Sequence, residues 1–242
     1  MRQVPSKNNQ YSYLIVGNGK LSRHFQHYFS LKKISYKIWT RQSEELFETF
    51  GKQAIRILVL IKDDEIENFI SANQKKLSEN KIWIHCSGML LTNLADSAHP
   101  LMTFTDKLYD LDFYEKIPFV LEKGRNSFKK LFPELNNPNY KIEPDQKILY
   151  HAYCVLSGNF TTIIWQFFFE YLRNNKIPKT AAYPYLKATA ENLINLDNPL
   201  SGPIERKDTK VISKHLKSLN NHPLKMVYKS LLDAYEKLDK EK

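Results

Sequence analysis

The stretch Tyr13-Leu14-Ile15-Val16-Gly17-Asn18-Gly19-Lys20-Leu21-Ser22 constrains the fold of this chain more than any other. Apolar residues run directly into a pair of glycines. The spacing then changes from that of a strand to that of a helix, with Leu21, Phe25, Tyr28 and Phe29 on one face. This pattern predicts a strand, a tight turn and a helix start. Gly17 permits a sharp backbone turn, Gly19 leaves the main chain open to a pyrophosphate, and the first amides of the helix offer donors at a positive dipole end. Ser22 stands where a G-x-G-x-x-G fingerprint has its third glycine, and it is small enough for helix and strand to pack closely. Glycine pairs after a strand are also ordinary turns, so the meaning of this one rests on its surroundings.

Those surroundings alternate between strand and helix. Ser35 to Thr40 alternates as a strand, and Ser43 to Phe50 reads as a short helix capped by Ser43 and ended by Gly51. Ile55 to Ile61 is a nearly continuous apolar run, expected of a buried parallel strand. Lys62-Asp63-Asp64 then caps a helix through Ile66, Phe69 and Ile70, and Lys81 to Cys86 forms the next strand, leading into Ser87-Gly88. The succession predicts an α/β domain over residues 1–145, a Rossmann-like parallel sheet with helices on both faces. Two shorter strands follow, at Pro118 to Glu122 and Tyr140 to Glu143, with a helix near Phe128 between them. From Lys147 the character changes. Lys147 to Arg173 reads as one long helix, apolar almost all round, followed by helices at 181–196, 209–219 and 224–238. Residues 146–242 are therefore expected to form an all-helical domain, with the long helix buried in a bundle or in a homodimer interface.

Composition narrows the class of function. The chain has 242 residues and is 42% hydrophobic with 14 Phe and 14 Tyr, enough to fill a real core. The first ten residues hold no apolar run of the kind a secretory signal needs, and the apolar run Phe160 to Phe169 is broken by Thr161, Thr162 and Gln166, so a cytoplasmic protein without a membrane span is expected. Cys86 and Cys154 are far apart and form no Cys-x-x-Cys pair, which encodes neither a disulfide framework nor a zinc site. The net charge of +10 is spread among acids rather than clustered, so a solvated basic surface, or one serving a small phosphate ligand, is favoured over a nucleic-acid platform.

In an open parallel sheet, ligands bind beyond the carboxyl ends of the strands, where the glycine turn, Arg41, Ile61-Lys62 and Ser87 fall. The strand that would read an adenosine ribose ends Trp39-Thr40-Arg41, a hydroxyl and a guanidinium in place of the acid that binds the ribose of NAD. NADP(H) is the cofactor this favours, held by Gly17, Asn18, Gly19, Lys20, Leu21, Ser22, Thr40, Arg41, Ile61 and Lys62. His99, in a loop expected after the fourth strand, is placed to exchange a proton at neutral pH, although a His-Pro pair is also a plain turn. Ser87 either meets a substrate or caps its turn. On the long helix His151 and Asn159 share an otherwise apolar face, His151 as a core histidine and Asn159 as a group that orients a substrate or finds a partner in the core. Arg206 either grips a substrate carboxylate or pairs with Asp208.

Gly-Asn-Gly-Lys-Leu-Ser at 17–22, Ser-Ala-His-Pro-Leu-Met-Thr-Phe at 97–104, Tyr-His-Ala-Tyr-Cys-Val-Leu-Ser-Gly-Asn-Phe at 150–160 and Ser-Gly-Pro-Ile-Glu-Arg-Lys-Asp-Thr at 201–209 together resemble a family described as NADP-dependent oxidoreductases. Its members join an N-terminal Rossmann-like domain to a C-terminal helical domain of unknown function, similar to the second domain of 6-phosphogluconate dehydrogenase. They tend to carry glycine where Lys207 stands here. The His-Pro segment also resembles the one that bears the catalytic histidine of prephenate and arogenate dehydrogenases. With the residue readings above, the resemblance leads to the expectation of an oxidoreductase acting on a small polar, acidic metabolite in the cleft between domains. Its expected catalytic residues are His99, which the resemblance favours, and Asn159, Ser87 and Arg206, read from their chemistry. The alternative is a nucleotide-binding or interaction protein that keeps the fold without turnover.

Overall fold

A computed structural model of the chain describes residues 10–77 and 80–240. The N-terminal stretch in which a secretory signal was sought lies almost wholly outside these residues. Strand β1 (Tyr11–Val16) leads through the glycine turn into helix α1 (Lys20–Leu31), as the opening motif requires. Then come β2 (Tyr36–Trp39), α2 (Phe47–Gln53), β3 (Ala54–Val59), α3 (Asp63–Asn73), β4 (Ile82–His85) and β5 (Asp96–Pro100). The sheet is completed by α4 (Leu111–Lys116), β6 (Phe119–Glu122), α5 (Phe128–Leu131) and β7 (Asn139–Ile142).

The seven strands lie in the order β2-β1-β3-β4-β5-β6-β7. Strands β1 to β5 are mutually parallel, β6 runs antiparallel to β5, and β7 is parallel to β6. The sheet separates two apolar clusters, and β1 shows why: Tyr13 and Ile15 enter the cluster containing Phe25, Phe29 and Phe132, whereas Leu14 and Val16 enter the one containing Phe47, Ile57 and Ile70. Successive strand residues point to opposite faces, so a strand covered on both sides is apolar throughout. Chain order reverses between β1 and β3, the switch point at which open α/β sheets leave a crevice.

Several local expectations are corrected by packing. Helix α2 begins at Phe47 rather than Ser43; the Ser43 hydroxyl instead accepts the Thr40 amide at 2.9 Å and closes a turn after β2. Gly51 lies inside α2 and does not end it, because a Cβ there would come within 2.8 Å of Leu77 Cδ1. No side chain caps α3; the Asp63 carboxylate accepts the Ser87 hydroxyl instead. Residues 96–100, expected as part of a loop, form β5 between β4 and β6. Ser, His and Pro read locally as turn residues, but sheet pairing on both sides overrides that preference, and Pro100, with no N–H to give, closes the strand.

After β7 the chain is helical. Helix α6 (Lys147–Cys154), a π-helical stretch at Val155–Phe160 and α7 (Thr161–Asn174) continue one another, as the long apolar run predicts. The chain divides into two compact units, residues 1–164 and 165–242, whereas the change of composition falls at Asp145. In the second unit, α8 (Tyr183–Asn195), α9 (Gly202–Glu205), α10 (Thr209–Ser218) and α11 (Leu224–Lys240) follow. The Trp165 ring lies 5.6 Å from that of Tyr185 and 5.7 Å from that of Phe169. Lys207 has φ +54°, the left-handed conformation that glycine adopts without cost, which accounts for the glycine that resembling sequences carry there. No helix among the described residues is long and apolar enough to cross a membrane.

Gly17 is the position at which this fold tolerates least. Its φ is +106°, and a Cβ would overlap the carbonyl oxygen of Leu60 at the end of β3. Gly17→Ala should therefore destabilise the protein by about 2–4 kcal/mol in chemical denaturation, while Gly19→Ala, whose Cβ would meet nothing within 4 Å, should stay within about 0.5 kcal/mol of the parent. Equal stability of the two variants would contradict this account of the turn.

Candidate functional site

A cavity of about 540 Å³ opens at the β1/β3 switch point. It is lined by Gly17, Asn18, Gly19, Lys20, Leu21, Ser22, Thr40, Arg41, Ile61 and Lys62, together with Asp63, Glu65, Cys86 and Ser87. All ten residues named from the sequence as cofactor contacts thus border one space. The turn is pinned to its neighbours: the Gly17 amide donates to Trp39 O at 2.9 Å and the Leu60 amide to Val16 O at 2.8 Å. Ser22 is fully buried, and its hydroxyl donates to Gly17 O at 2.7 Å while accepting from Gln26 Nε2 at 3.0 Å. The third small residue of the fingerprint here ties helix to turn as well as letting them pack.

Two helices begin at this cavity, and they differ electrostatically. Helix α1 has no acid in its first turn and no side-chain cap, so its positive end faces the space beside Gly19. Helix α3 opens with Asp63, Asp64 and Glu65. An anion is favoured at the first and repelled from the second. Arg41 lies at the cavity rim, largely exposed, with its guanidinium 2.8 Å from the Glu65 carboxylate. The sequence motif gave no sign of this competing acid, which lies twenty-four positions further on.

Ser87 is occupied: its hydroxyl donates to Asp63 and accepts the amides of Met89 and Leu90 at 3.3 and 3.0 Å. That is the geometry of a turn former, one of the two duties the sequence allowed it. The adjacent Gly88 packs so closely on His151 that a Cβ would overlap the imidazole. His151 in turn lies 5.8 Å from His99, ring to ring and nearly perpendicular. His99, on β5, is hydrogen-bonded through Nδ1 to the Tyr150 hydroxyl, 2.9 Å away. Starting from the cavity wall, then, Ser87-Gly88, His151, His99 and Tyr150 succeed one another in contact. His99 itself does not line the cavity, and Tyr150 was not singled out in the sequence although it immediately precedes His151.

A buried ion pair fixes this cluster. Lys147, 3% exposed at the first position of α6, sits 2.6 Å from Glu122 at the end of β6 and also donates to Leu90 O. Tyr150 and His151 lie one turn further along α6. Breaking such a pair from one side leaves a charge uncompensated, at a cost of about 3–5 kcal/mol. Burial lowers the Lys147 pKa, and the Glu122 carboxylate opposes that shift. Two further residues expected at the site are exposed. Asn159 is exposed in the π-helical stretch. Arg206 is exposed in the second unit at the end of α9, and Asp208, its expected partner, instead caps α10 by accepting the Val211 amide at 3.1 Å. Among the described residues no group of three or more His, Cys, Asp or Glu could hold a metal ion.

Residues 118–235 match the family model of a domain of unknown function, DUF2520. That match agrees with the helical domain of unknown function that the sequence resembles. Among solved structures, the candidate NADP oxidoreductase BF3122 of Bacteroides fragilis is 20% identical, with 93% of this chain and 97% of that one covered and a TM-score of 0.74. Protein TM1727 of Thermotoga maritima is 22% identical over 95% and 98% of the two chains, TM-score 0.69. The pyrroline carboxylate reductase of Plasmodium falciparum, solved with NADP bound, is 13% identical over 94% and 96%, TM-score 0.60. At these identities the likeness is one of fold. Among curated proteins none matches the chain.

The imidazoles give the site a pH signature. Burial, with the charges of Lys147 and Arg125, brings the His85 pKa down to about 3, and burial, with His151 and Lys147, brings that of His99 down to about 4. Between these values and 6.5 the unfolded chain binds more protons than the folded one, so this contribution is complete above pH 6.5 and is lost as pH falls towards 4. His99→Asn should remove its share, on the order of 2 kcal/mol, and flatten the fall in thermal stability between pH 7 and 4.5. Parallel pH profiles for the parent and the variant would show that His99 is not held neutral by the fold.

Proposed function

We propose that this chain is an NADP-dependent oxidoreductase acting on a small polar metabolite. The observation that carries the proposal is the cavity at the β1/β3 switch point, where the uncapped, acid-free start of α1 and the open backbone at Gly19 meet Thr40 and Arg41. A dinucleotide phosphate fits this donor set. The amides from Asn18 to Ser22 suit its pyrophosphate, and Thr40 and Arg41 suit a 2′-phosphate, which a guanidinium grips through two parallel hydrogen bonds. The Plasmodium reductase with NADP bound supports the choice of cofactor, and the Bacteroides protein the choice of reaction class.

When bound, the dinucleotide supplies the hydride. The residues of the chain do the rest. Ser87, committed to its turn, holds the floor beside Gly88. His99, neutral at physiological pH, faces the charge that develops on the reacting oxygen or nitrogen, as a hydrogen-bond donor or a proton acceptor. Asn159 orients the reacting group, a role proposed from residue chemistry.

The proposal includes a homodimer. Ile148, Leu149, Tyr153 and Phe160 on the long helix are each half or more exposed in the single chain, and Leu156 nearly so. A continuous apolar face of this extent is what an obligate interface covers. Light scattering on the purified protein should give twice the chain mass of 28.5 kDa, and a monomer at micromolar concentration would remove this part of the reading.

Cofactor choice is tested by calorimetric titration. NADPH should bind more tightly than NADH, and Arg41→Ala should weaken NADPH about ten- to hundredfold while leaving NADH little changed, since a charge-assisted contact is worth about 1.5–3 kcal/mol. Equal affinities would overturn the assignment to NADP, and binding of neither would favour an interaction protein that keeps the fold alone.

A further inference from the structure

The Tyr150 hydroxyl is hydrogen-bonded to Nδ1 of His99 at 2.9 Å, a bond whose donor depends on the histidine tautomer, and Cys154 stands one turn along α6. The hydroxyl has one proton to give. Burial, with Cys154 adding to it, raises the Tyr150 pKa well above the ordinary tyrosine range, so the hydroxyl keeps that proton at any physiological pH. A neutral imidazole nitrogen is a strong acceptor, whereas a phenol oxygen, its lone pair drawn into the ring, is a weak one, so the O–H···N arrangement is favoured over N–H···O. The proton therefore points at His99. His99 is itself neutral and so has only one lone pair in the ring plane. If Nδ1 accepts, Nε2 carries the hydrogen.

We propose that Tyr150 is a positioning residue that locks His99 in the Nε2–H tautomer, so that the site presents an N–H donor, and not a lone pair, to its substrate. The surroundings hold the arrangement rigid. Tyr150 sits one turn beyond Lys147, whose buried pair with Glu122 anchors the start of α6 to the sheet, and the Tyr150 and His99 rings meet edge to face, 83° apart. The neighbouring His151 is wedged against Gly88, which leaves α6 no room to rotate towards β4.

The inference deepens the function proposed above and rests on it in one respect, the direction of the chemistry. A neutral N–H donor stabilises negative charge growing on an acceptor atom but removes no proton. It suits a substrate bearing a C=O or C=N bond that is reduced, with the acceptor atom on His99. A substrate whose alcohol or amine must be deprotonated calls for the other tautomer.

The test is nitrogen NMR of the full-length protein labelled with ¹⁵N-histidine, without cofactor, the His99 signals being assigned by their loss in His99→Asn. At pH 7 the parent should show His99 with Nε2 protonated and Nδ1 bare, the Nδ1 resonance displaced by an accepted hydrogen bond. In Tyr150→Phe that resonance should move to the position of a free lone pair, and the Nδ1–H form should become populated. A protonated Nδ1 in the parent overturns the proposal without need of any variant, and so does an Nδ1 resonance unchanged in Tyr150→Phe. Because the measurement uses no dinucleotide, its failure is distinct from failure of the cofactor titration, which would leave the tautomer standing and remove only its chemical purpose.

Discussion

The approach of the end of β1 to the end of β3 is the constraint on which the site depends. At Gly17 the backbone passes so near the Leu60 carbonyl that no side chain fits, and the chain turns there with φ +106°. That contact sets the mouth of the switch-point crevice and aims the start of α1 into it. The buried Ser22 hydroxyl, bonded to Gly17 O, locks helix to turn from the other side. Once this geometry exists, an anion site follows from the backbone alone, since the first amides of an uncapped helix need partners and carry positive partial charge. The acids at the start of α3 then confine that site to one of the two helices that open on the cavity.

A second constraint ties the helical part of the first unit to this sheet. Lys147 and Glu122 are both nearly fully buried, and such a pair is tolerated only where each charge finds its complement. It places the first turns of α6 against β5 and the turn after β4, and so brings Tyr150 and His151, His99 and Gly88 together from three parts of the chain. The electrostatic consequence is that His99 lies in a part-buried, positively biased setting and stays neutral. A neutral imidazole can serve as a donor of fixed orientation, which a charged one competing for water would do less well.

Much of the fold was legible because its signals are local. The apolar run into Gly17, the uninterrupted apolar β3 and the helical periodicity after Lys147 each follow from one stretch of sequence, and the structure has β1, β3 and the long helix at those places. What escaped was whatever depended on a partner distant in sequence. Residues 96–100 look like a turn, and they are a strand only because β4 and β6 flank them. Ser43 and Asp63 have the chemistry of helix caps, yet their side chains bond to Thr40 and Ser87. At the site, the phosphate-type cradle was visible as a motif, whereas Glu65 opposite Arg41 and Tyr150 against His99 were not, because nothing in their local spacing announces the contact.

The central claim is that the switch-point cavity holds a dinucleotide whose reactive end is served by His99. A crystal structure of the protein with NADPH tests it most directly. The pyrophosphate is predicted on the amides at Asn18 to Ser22, the 2′-phosphate on Thr40 and Arg41, and the nicotinamide C4 close enough to His99 for one small molecule to touch both. A cofactor bound elsewhere, or a ring walled off from His99 by other side chains, would contradict it.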